Sequence, residues 1–185
     1  LNCNIINIIE NIVLSTCDYL AQNNKNIIFD TDEEEVFLAC DPDKIEKVIL
    51  NLISNSLKFT DDNGEIKVII STDYKSNKLF IHVQNNGPEI SIEDSKKIFS
   101  KYIQSDELFT SKNQGTGIGL FLCKSFIELH GGEIWVNTNF KDGAEFIFYL
   151  PIKLTADKKI DKLITDTSSS KIEKCNIEFS DIYSF

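Results

Sequence analysis

The chain has 185 residues, 42% of them hydrophobic, and its 29 acidic and 19 basic residues give a net charge of −10. This size predicts one domain with a sizeable core, and the acidic balance argues against a nucleic-acid partner. No apolar run reaches the roughly 18 residues that a membrane helix needs, so we expect a cytoplasmic domain with no membrane contact. The five cysteines are odd in number and form no C-x-x-C pair, which favours free thiols over disulfides or a zinc site.

The composition changes near the end of the chain. We expect residues 1–154 to form the folded domain, because the regular apolar patterns end at Pro151. Residues 155–185 are rich in lysine, aspartate and serine, and they are predicted to be a polar tail, either a linker or a docking segment. The chain contains no methionine, so we expect a fragment in which Leu1 is an internal boundary.

The first 60 residues alternate between helical and strand patterns. Apolar residues at helical spacing predict a first helix over Ile5 to Asn23. Two short strands, 26–31 and 35–40, follow on either side of an acidic turn. Asp41 is a good N-cap and is followed by proline, so a second helix is predicted from there to Thr60.

The rest of the chain continues the alternation of helices and strands. Two strands are predicted at 65–74 and 78–85, and a third helix at 91–103. A polar run at 104–114 and a fourth helix at 118–130 come next, and the strands 132–140 and 144–151 form a closing hairpin. This order of elements predicts an antiparallel or mixed sheet that helices cover on one face.

Glycines concentrate in the segment from Gly115 to Gly132, which holds five of the eight in the chain. Gly115, Gly117 and Gly119 alternate, and a helical pattern begins at once. A glycine-rich loop before a helix N-terminus suits a phosphate group. The dinucleotide fingerprint has a different spacing and follows a strand, and the phosphate-binding loop G-x-x-x-x-G-K-[ST] is absent. A flexible turn into a helix remains the alternative.

One face of the second helix is polar. Its members recur three, four, four and three positions apart: Lys44, Lys47, Asn51, Asn55 and Lys58. Two asparagines and a lysine therefore point the same way. Asparagine oxygens suit Mg²⁺ that already has phosphate ligands, and a lysine one turn on can hold the same phosphates. The pattern predicts half of a nucleotide site, and a solvated polar face is the alternative.

Four segments in this order and spacing resemble the catalytic ATP-binding domain of sensor histidine kinases, in the superfamily shared with gyrase and the heat-shock chaperone. They are "DPDKIEKVILNLISNSLKFT", "VQNNGPEIS", "KKIFSKYIQSD" and "GTGIGLFLCKSFIELHGGEI". The resemblance covers about residues 4–151. It implies an α+β fold, a two-layer α/β sandwich with a mixed, mostly antiparallel sheet, helices on one face and an ATP lid over 104–114.

The resemblance also implies roles for individual residues. It makes Asn51 and Lys58 catalytic, and Asn55 the Mg²⁺ ligand with Asn51 assisting. Hydrolysing relatives carry glutamate at position 51, whereas asparagine cannot act as a base towards water. The implied ATP-binding residues are Asn51, Asn55, Lys58, Phe59, Asn85, Gly87, Ile90, Lys101, Gly115, Thr116, Gly117, Ile118, Gly119 and Leu120.

The activity that the resemblance implies is transfer of the ATP γ-phosphoryl group to a histidine on a partner helical domain, and then to a response regulator receiver domain. Neither histidine of the chain fits the acceptor: His82 is expected to be satisfied or exposed in a strand, and His130 to be a cation at a helix end. The family usually has aspartate, glycine and threonine where Asn85, Glu89 and Glu145 stand. We expect Glu145 to weaken the base contacts. These departures leave open a non-catalytic regulatory module of the same fold.

Overall fold

A computed structural model describes residues 1–100 and 118–156. In chain order its elements are β1 (Asn2–Asn4), α1 (Ile5–Gln22), β2 (Asn26–Thr31), β3 (Phe37–Ala39), α2 (Pro42–Phe59), β4 (Glu65–Asp73), β5 (Lys78–Asn85), α3 (Ile92–Lys97), α4 (Gly119–Leu129), β6 (Glu133–Val136) and β7 (Ala144–Pro151). The predicted alternation of helices and strands is therefore confirmed over these residues.

The main sheet has five strands in the order β2-β4-β5-β7-β6. β2 pairs with β4 in parallel, and the other three pairs are antiparallel. The sheet is thus mixed and mostly antiparallel, as predicted. In β5 the side chains alternate between buried and half-buried, with Leu79, Ile81, Val83 and Asn85 buried. This period of two is the signature of a strand with one face in a core.

The helices α1, α2 and α4 supply the second layer, which confirms the predicted sandwich. Each helix has an apolar stripe in the shared core, and Ile9, Ile49, Ile53 and Ile127 within these stripes are completely buried. Burying one such side chain contributes about 1.5 to 3 kcal/mol to folding. None of the helices within residues 1–100 and 118–156 combines the length and hydrophobicity needed to cross a membrane.

A separate two-stranded sheet forms at the first residues of the chain, next to Thr155 near the end of the described residues. β1, which was not predicted, pairs antiparallel with β3. The side chain of Asn2 binds the backbone of Thr155, accepting from its N–H at 2.9 Å and donating to its carbonyl at 3.2 Å. Contacts between residues far apart in the chain hold this sheet, so β1 needs no apolar period of its own.

Three elements are clearly shorter than predicted, and one of them is β3, which covers only Phe37–Ala39 of the predicted 35–40. Ser91 is the predicted cap of α3, and its hydroxyl accepts from the N–H of Asp94 at 3.0 Å, but the helix ends at Lys97. A tighter turn follows it. β6 ends at Val136 because a turn begins at Asn137, whose carbonyl accepts from the residue three positions on.

The four cysteines within the described residues are free thiols: Cys3, Cys17, Cys40 and Cys123. Burial, together with the neighbouring thiol of Cys3, raises the pKa of Cys40 to about 12. Cys40 therefore stays protonated at neutral pH and behaves as a small apolar side chain of the core.

Candidate nucleotide site

The two asparagines of α2 lie together, one turn apart. The side-chain amide of Asn55 donates to Oδ1 of Asn51 at 3.0 Å, and both residues are half-buried. The helix that carries them starts as predicted, because the carboxylate of Asp41 accepts from the N–H of Lys44 at 3.3 Å. The hydrogen bond from the Lys44 side chain also lowers the pKa of Asp41.

The N-terminus of α4 lies directly against this pair. A Cβ atom built on Gly119 would stand 2.3 Å from Nδ2 of Asn51 and 2.9 Å from its Oδ1, so only glycine fits there without a shift. One turn on, the buried thiol of Cys123 donates to Oδ1 of Asn51 at 3.5 Å. The residue at the N-cap, Ile118, has no side chain that can cap the helix. α2 and α4 thus form two adjoining walls of one site.

The end of β5 is bound to the last turns of α2. Asn85 is only 3% exposed, and its amide donates to the buried hydroxyl of Ser56 at 3.3 Å while its Oδ1 accepts from the N–H of Gly87 at 2.9 Å. A Cβ atom on Gly87 would lie 2.1 Å from the carbonyl oxygen of Phe59. Ser56 was not among the predicted site residues, although a small polar residue within the buried stripe of α2 is a usable signal.

The other predicted site residues are distributed around these contacts. Lys58 is half-buried in the last turn of α2. Ile90 and Leu120 are partly buried and pack against the core. The remaining predicted site residues and the predicted lid lie outside the described residues: Lys101, Gly115, Thr116, Gly117 and 104–114.

Glu145 faces away from the site, so the expectation that it weakens base contacts is wrong. Its carboxylate accepts from Nδ1 of His82 at 2.9 Å, from Nε2 of Gln84 at 2.7 Å and from the amide of Asn137. Burial raises the pKa of Glu145, but the hydrogen bonds from His82, Gln84 and Asn137 together lower it below its usual value. Ala144 is the residue paired with Asn85. Alternation along β7 therefore puts Glu145 on the opposite face of the sheet.

His130 is not the cation that was predicted. Its Nδ1 lies 2.6 Å from the carbonyl oxygen of Phe126 and its Nε2 accepts from the N–H of Asp41 at 3.0 Å. A ring that donates at one nitrogen and accepts at the other is a neutral imidazole.

A nucleotide with Mg²⁺ fits the residues around α2. Oδ1 of Asn51 already accepts two hydrogen bonds, from Asn55 and Cys123. Among residues 1–100 and 118–156, no donor contacts Oδ1 of Asn55, so this oxygen can serve a cation. Mg²⁺ in nucleotide sites is typically held by one or two protein oxygens and the substrate phosphates.

Comparisons with known proteins agree with this geometry. The family model for "Histidine kinase-, DNA gyrase B-, and HSP90-like ATPase" matches residues 40–154. Hybrid signal transduction histidine kinase D of Dictyostelium discoideum is 34% identical over 181 residues, which cover 94% of this chain and 12% of that protein. Sensor histidine kinase WalK of Bacillus subtilis (strain 168) is 29% identical over 142 residues, which cover 77% of this chain and 23% of that protein.

Solved structures show the same similarity. The nucleotide-free catalytic domain of histidine kinase ThkA superposes with a TM-score of 0.72 at 31% identity, covering 83% of this chain and 97% of that domain. ThkA in complex with the response regulator TrrA gives a TM-score of 0.69 at 30% identity, covering 86% of this chain and 43% of that one.

The fold and the site define an α/β sandwich of the nucleotide-binding ATPase class. The chain belongs to the family of histidine kinase-, DNA gyrase B- and HSP90-like ATPases, and its domain is the ATP-binding catalytic domain of a sensor histidine kinase. The resemblance found in the sequence is confirmed. The chain spans 12% and 23% of the length of the two curated relatives.

Proposed function

We propose that this domain binds ATP with Mg²⁺ and transfers the γ-phosphoryl group to a histidine that lies outside the described fold. The acceptor belongs to a dimerising helical domain of the same or a partner kinase, and a response regulator receiver domain then takes the phosphoryl group. Such a transfer needs positioning and charge neutralisation rather than covalent help from the domain.

The packing of Asn51 and Asn55 against the N-terminus of α4 is the observation that carries this proposal. Asn55 is the proposed Mg²⁺ ligand, because its oxygen has no donor among the described residues. Asn51 orients it, and Lys58 contacts the phosphates. When bound, Mg²⁺ neutralises charge on the phosphate oxygens.

The rest of the proposed site holds the base and the phosphates. Asn85 and Gly87, at the end of β5, are assigned to the base pocket together with the apolar Phe59, whose carbonyl lies against Gly87, and Ile90. The phosphates are assigned to Lys101, to the glycine-rich segment and to the start of α4: Gly115, Thr116, Gly117, Ile118, Gly119 and Leu120. Unpaired N–H groups and the dipole of a helix N-terminus favour such an anion.

The proposed partners follow from the relatives. ThkA was solved in complex with a response regulator, which supports a receiver domain as a partner of this chain. We place the domain in the cytoplasm, over residues 1–154, and assign 155–185 to a linker or docking segment. The net charge of −10 supports partners other than nucleic acids.

Asn85 favours a second function, a non-catalytic regulatory module. An aspartate there would accept from the adenine amino group with a charge-assisted bond, whereas Asn85 offers only one neutral oxygen, which Gly87 already uses in part. The module would keep the fold and bind ATP weakly or not at all.

Calorimetric titration of ATP, with Mg²⁺ and with EDTA, tests the proposal. We expect binding that Mg²⁺ strengthens, and phosphate release well below about 1 s⁻¹, the low end of typical turnover, because Asn51 supplies no base. GTP is the matched control, since it lacks the amino group of adenine. A helical phosphoacceptor domain supplied in trans should gain acid-labile phosphate from radiolabelled ATP. Absence of binding would favour the regulatory module, and rapid steady phosphate release would assign the chain to the hydrolysing relatives.

A further inference from the structure

His130 connects the two helices that form the nucleotide site. Its Nδ1–H donates to the carbonyl of Phe126 in the last turns of α4, at 2.6 Å. Its Nε2 accepts from the backbone N–H of Asp41, the N-cap of α2, at 3.0 Å. One imidazole ring therefore joins the C-terminus of α4 to the N-terminus of α2.

The ring is not needed to close α4, because two glycines already do so. Gly131 has a left-handed φ of 75°, and its N–H donates to the carbonyl of Glu128 at 2.9 Å. The N–H of Gly132 donates to the carbonyl of Ile127 at 3.0 Å. These two bonds make a Schellman cap. The bond from the ring to Phe126 therefore serves to orient the imidazole.

α2 and α4 meet a second time, at the nucleotide end. There Gly119 and Cys123 pack on Asn51. The 11 residues of α4 place this contact about 16 Å from His130. Between these ends Cys123 and Ile127 pack α4 into the core, and the bond from His130 to Asp41 fixes the far end of the helix to α2.

We propose that His130 is a positioning residue for nucleotide binding, which holds the N-terminus of α4 in place by fixing the far end of the helix to α2. This inference rests on the proposed function. It requires a neutral ring with the proton on Nδ1, because a proton on Nε2 would point at the N–H of Asp41. The bond to Asp41 fixes α4 to α2, and the bond to Phe126 only orients the ring.

Two substitutions separate these bonds. His130→Gln places an amide oxygen at the distance of Nε2, where it can still accept from Asp41, and loses the donor to Phe126. His130→Asn keeps a donor at the distance of Nδ1 but does not reach Asp41. We expect His130→Gln to bind Mg-ATP within about twofold of the wild type and His130→Asn to bind about three- to tenfold more weakly. Equal affinity in the two variants, or weaker binding by His130→Gln alone, would overturn the proposal.

Two measurements need no nucleotide. Nitrogen-15 NMR of the histidine-labelled chain should show the proton of His130 on Nδ1, and a proton on Nε2 would overturn the proposal. Amide exchange over 119–123 in nucleotide-free protein should be faster in His130→Asn than in His130→Gln, and equal rates would also overturn it. If the wild type binds no ATP, the proposed function fails, and these exchange rates still decide whether His130 positions α4.

Discussion

Asn55 donates its side-chain amide to Oδ1 of Asn51 at 3.0 Å, and this bond gives the two asparagines different tasks. Oδ1 of Asn51 also accepts from the thiol of Cys123 and is therefore already used. Oδ1 of Asn55 has no donor within residues 1–100 and 118–156. The pair thus presents a single hard oxygen, from Asn55, and Asn51 holds it in place.

The first prediction follows from the different roles of Asn55 and Asn51. Asn55→Ala should leave ATP binding in EDTA within about twofold of the wild type and remove the strengthening by Mg²⁺, because the metal loses its protein oxygen. Asn51→Ala should weaken binding and keep a response to Mg²⁺. Titration calorimetry measures both, with the exposed Asn7→Ala of α1 as the matched control. An unchanged Mg²⁺ response in Asn55→Ala would move the metal to another ligand.

Gly119 provides the second prediction. Gly119→Ala places a methyl group 2.3 Å from Nδ2 of Asn51, and such overpacking typically costs about 1 to 3 kcal/mol. The greater helix propensity of alanine returns at most about 1 kcal/mol, so a net loss of stability is expected. Because Asn51 must move, ATP affinity should fall by about tenfold.

Denaturant unfolding and ATP titration check this prediction. Lys124→Ala is the matched control, because it changes an exposed position of the same helix and removes only a surface ion pair with Glu128. A Gly119→Ala variant that is more stable than the wild type and binds ATP equally well would contradict the contact with Asn51.

Glu145 makes stability depend on pH. Hydrogen bonds to its buried carboxylate lower the pKa in the fold, so the unfolded chain binds the proton more tightly. The stabilisation is therefore present above the usual value of 4.5 and is lost as the pH falls through the lowered pKa. Glu145→Gln should lower the free energy of unfolding by about 1 to 3 kcal/mol at pH 7, because the hydrogen bonds to a charged group are removed.

Urea unfolding at neutral and acidic pH measures this effect. The difference in unfolding free energy between the wild type and Glu145→Gln should shrink as the solution becomes more acidic than the usual pKa. Glu133→Gln, at an exposed position of the neighbouring strand, is the control and should show a small difference at every pH. If the difference in unfolding free energy for Glu145→Gln were the same at every pH, the charge of Glu145 would contribute nothing to stability.

Local patterns in the sequence predicted much of the fold. The caps at Asp41 and Ser91 and the alternation in β5 depend on residues a few positions apart, so they are readable without the fold. Asn51 and Asn55 also came together as predicted, because helical geometry alone places them one turn apart.

The errors came from contacts between distant residues. β7 reads as almost continuously apolar, so its sequence did not reveal which face Glu145 occupies, and only the pairing of Ala144 with Asn85 settles it. The neutral state of His130 depends on the N–H of Asp41, 89 positions away. No local pattern encodes such a partner, and the helix dipole alone favoured the wrong charge.

Asn85 gives the last prediction, which also separates the kinase from the regulatory module. Hydrogen bonds to charged groups contribute about 1.5 to 3 kcal/mol, against about 1 kcal/mol for neutral ones. On these magnitudes Asn85→Asp should tighten ATP binding by about tenfold, through a charge-assisted bond to the adenine amino group. GTP, which lacks that amino group, should gain nothing.

The structure explains why a carboxylate is tolerated at this buried position. The hydroxyl of Ser56, which now accepts from Asn85, can rotate and donate, and the N–H of Gly87 already donates at 2.9 Å. Two donors offset part of the cost of burying the charge. Removing one of them, in Asn85→Asp combined with Ser56→Ala, should therefore lower stability more than Ser56→Ala does alone.

Calorimetric titration of ATP into the wild type and Asn85→Asp distinguishes the two functions. If the wild type already binds ATP tightly and the aspartate adds no affinity, another contact recognises the base. If neither protein binds ATP, the regulatory module is correct.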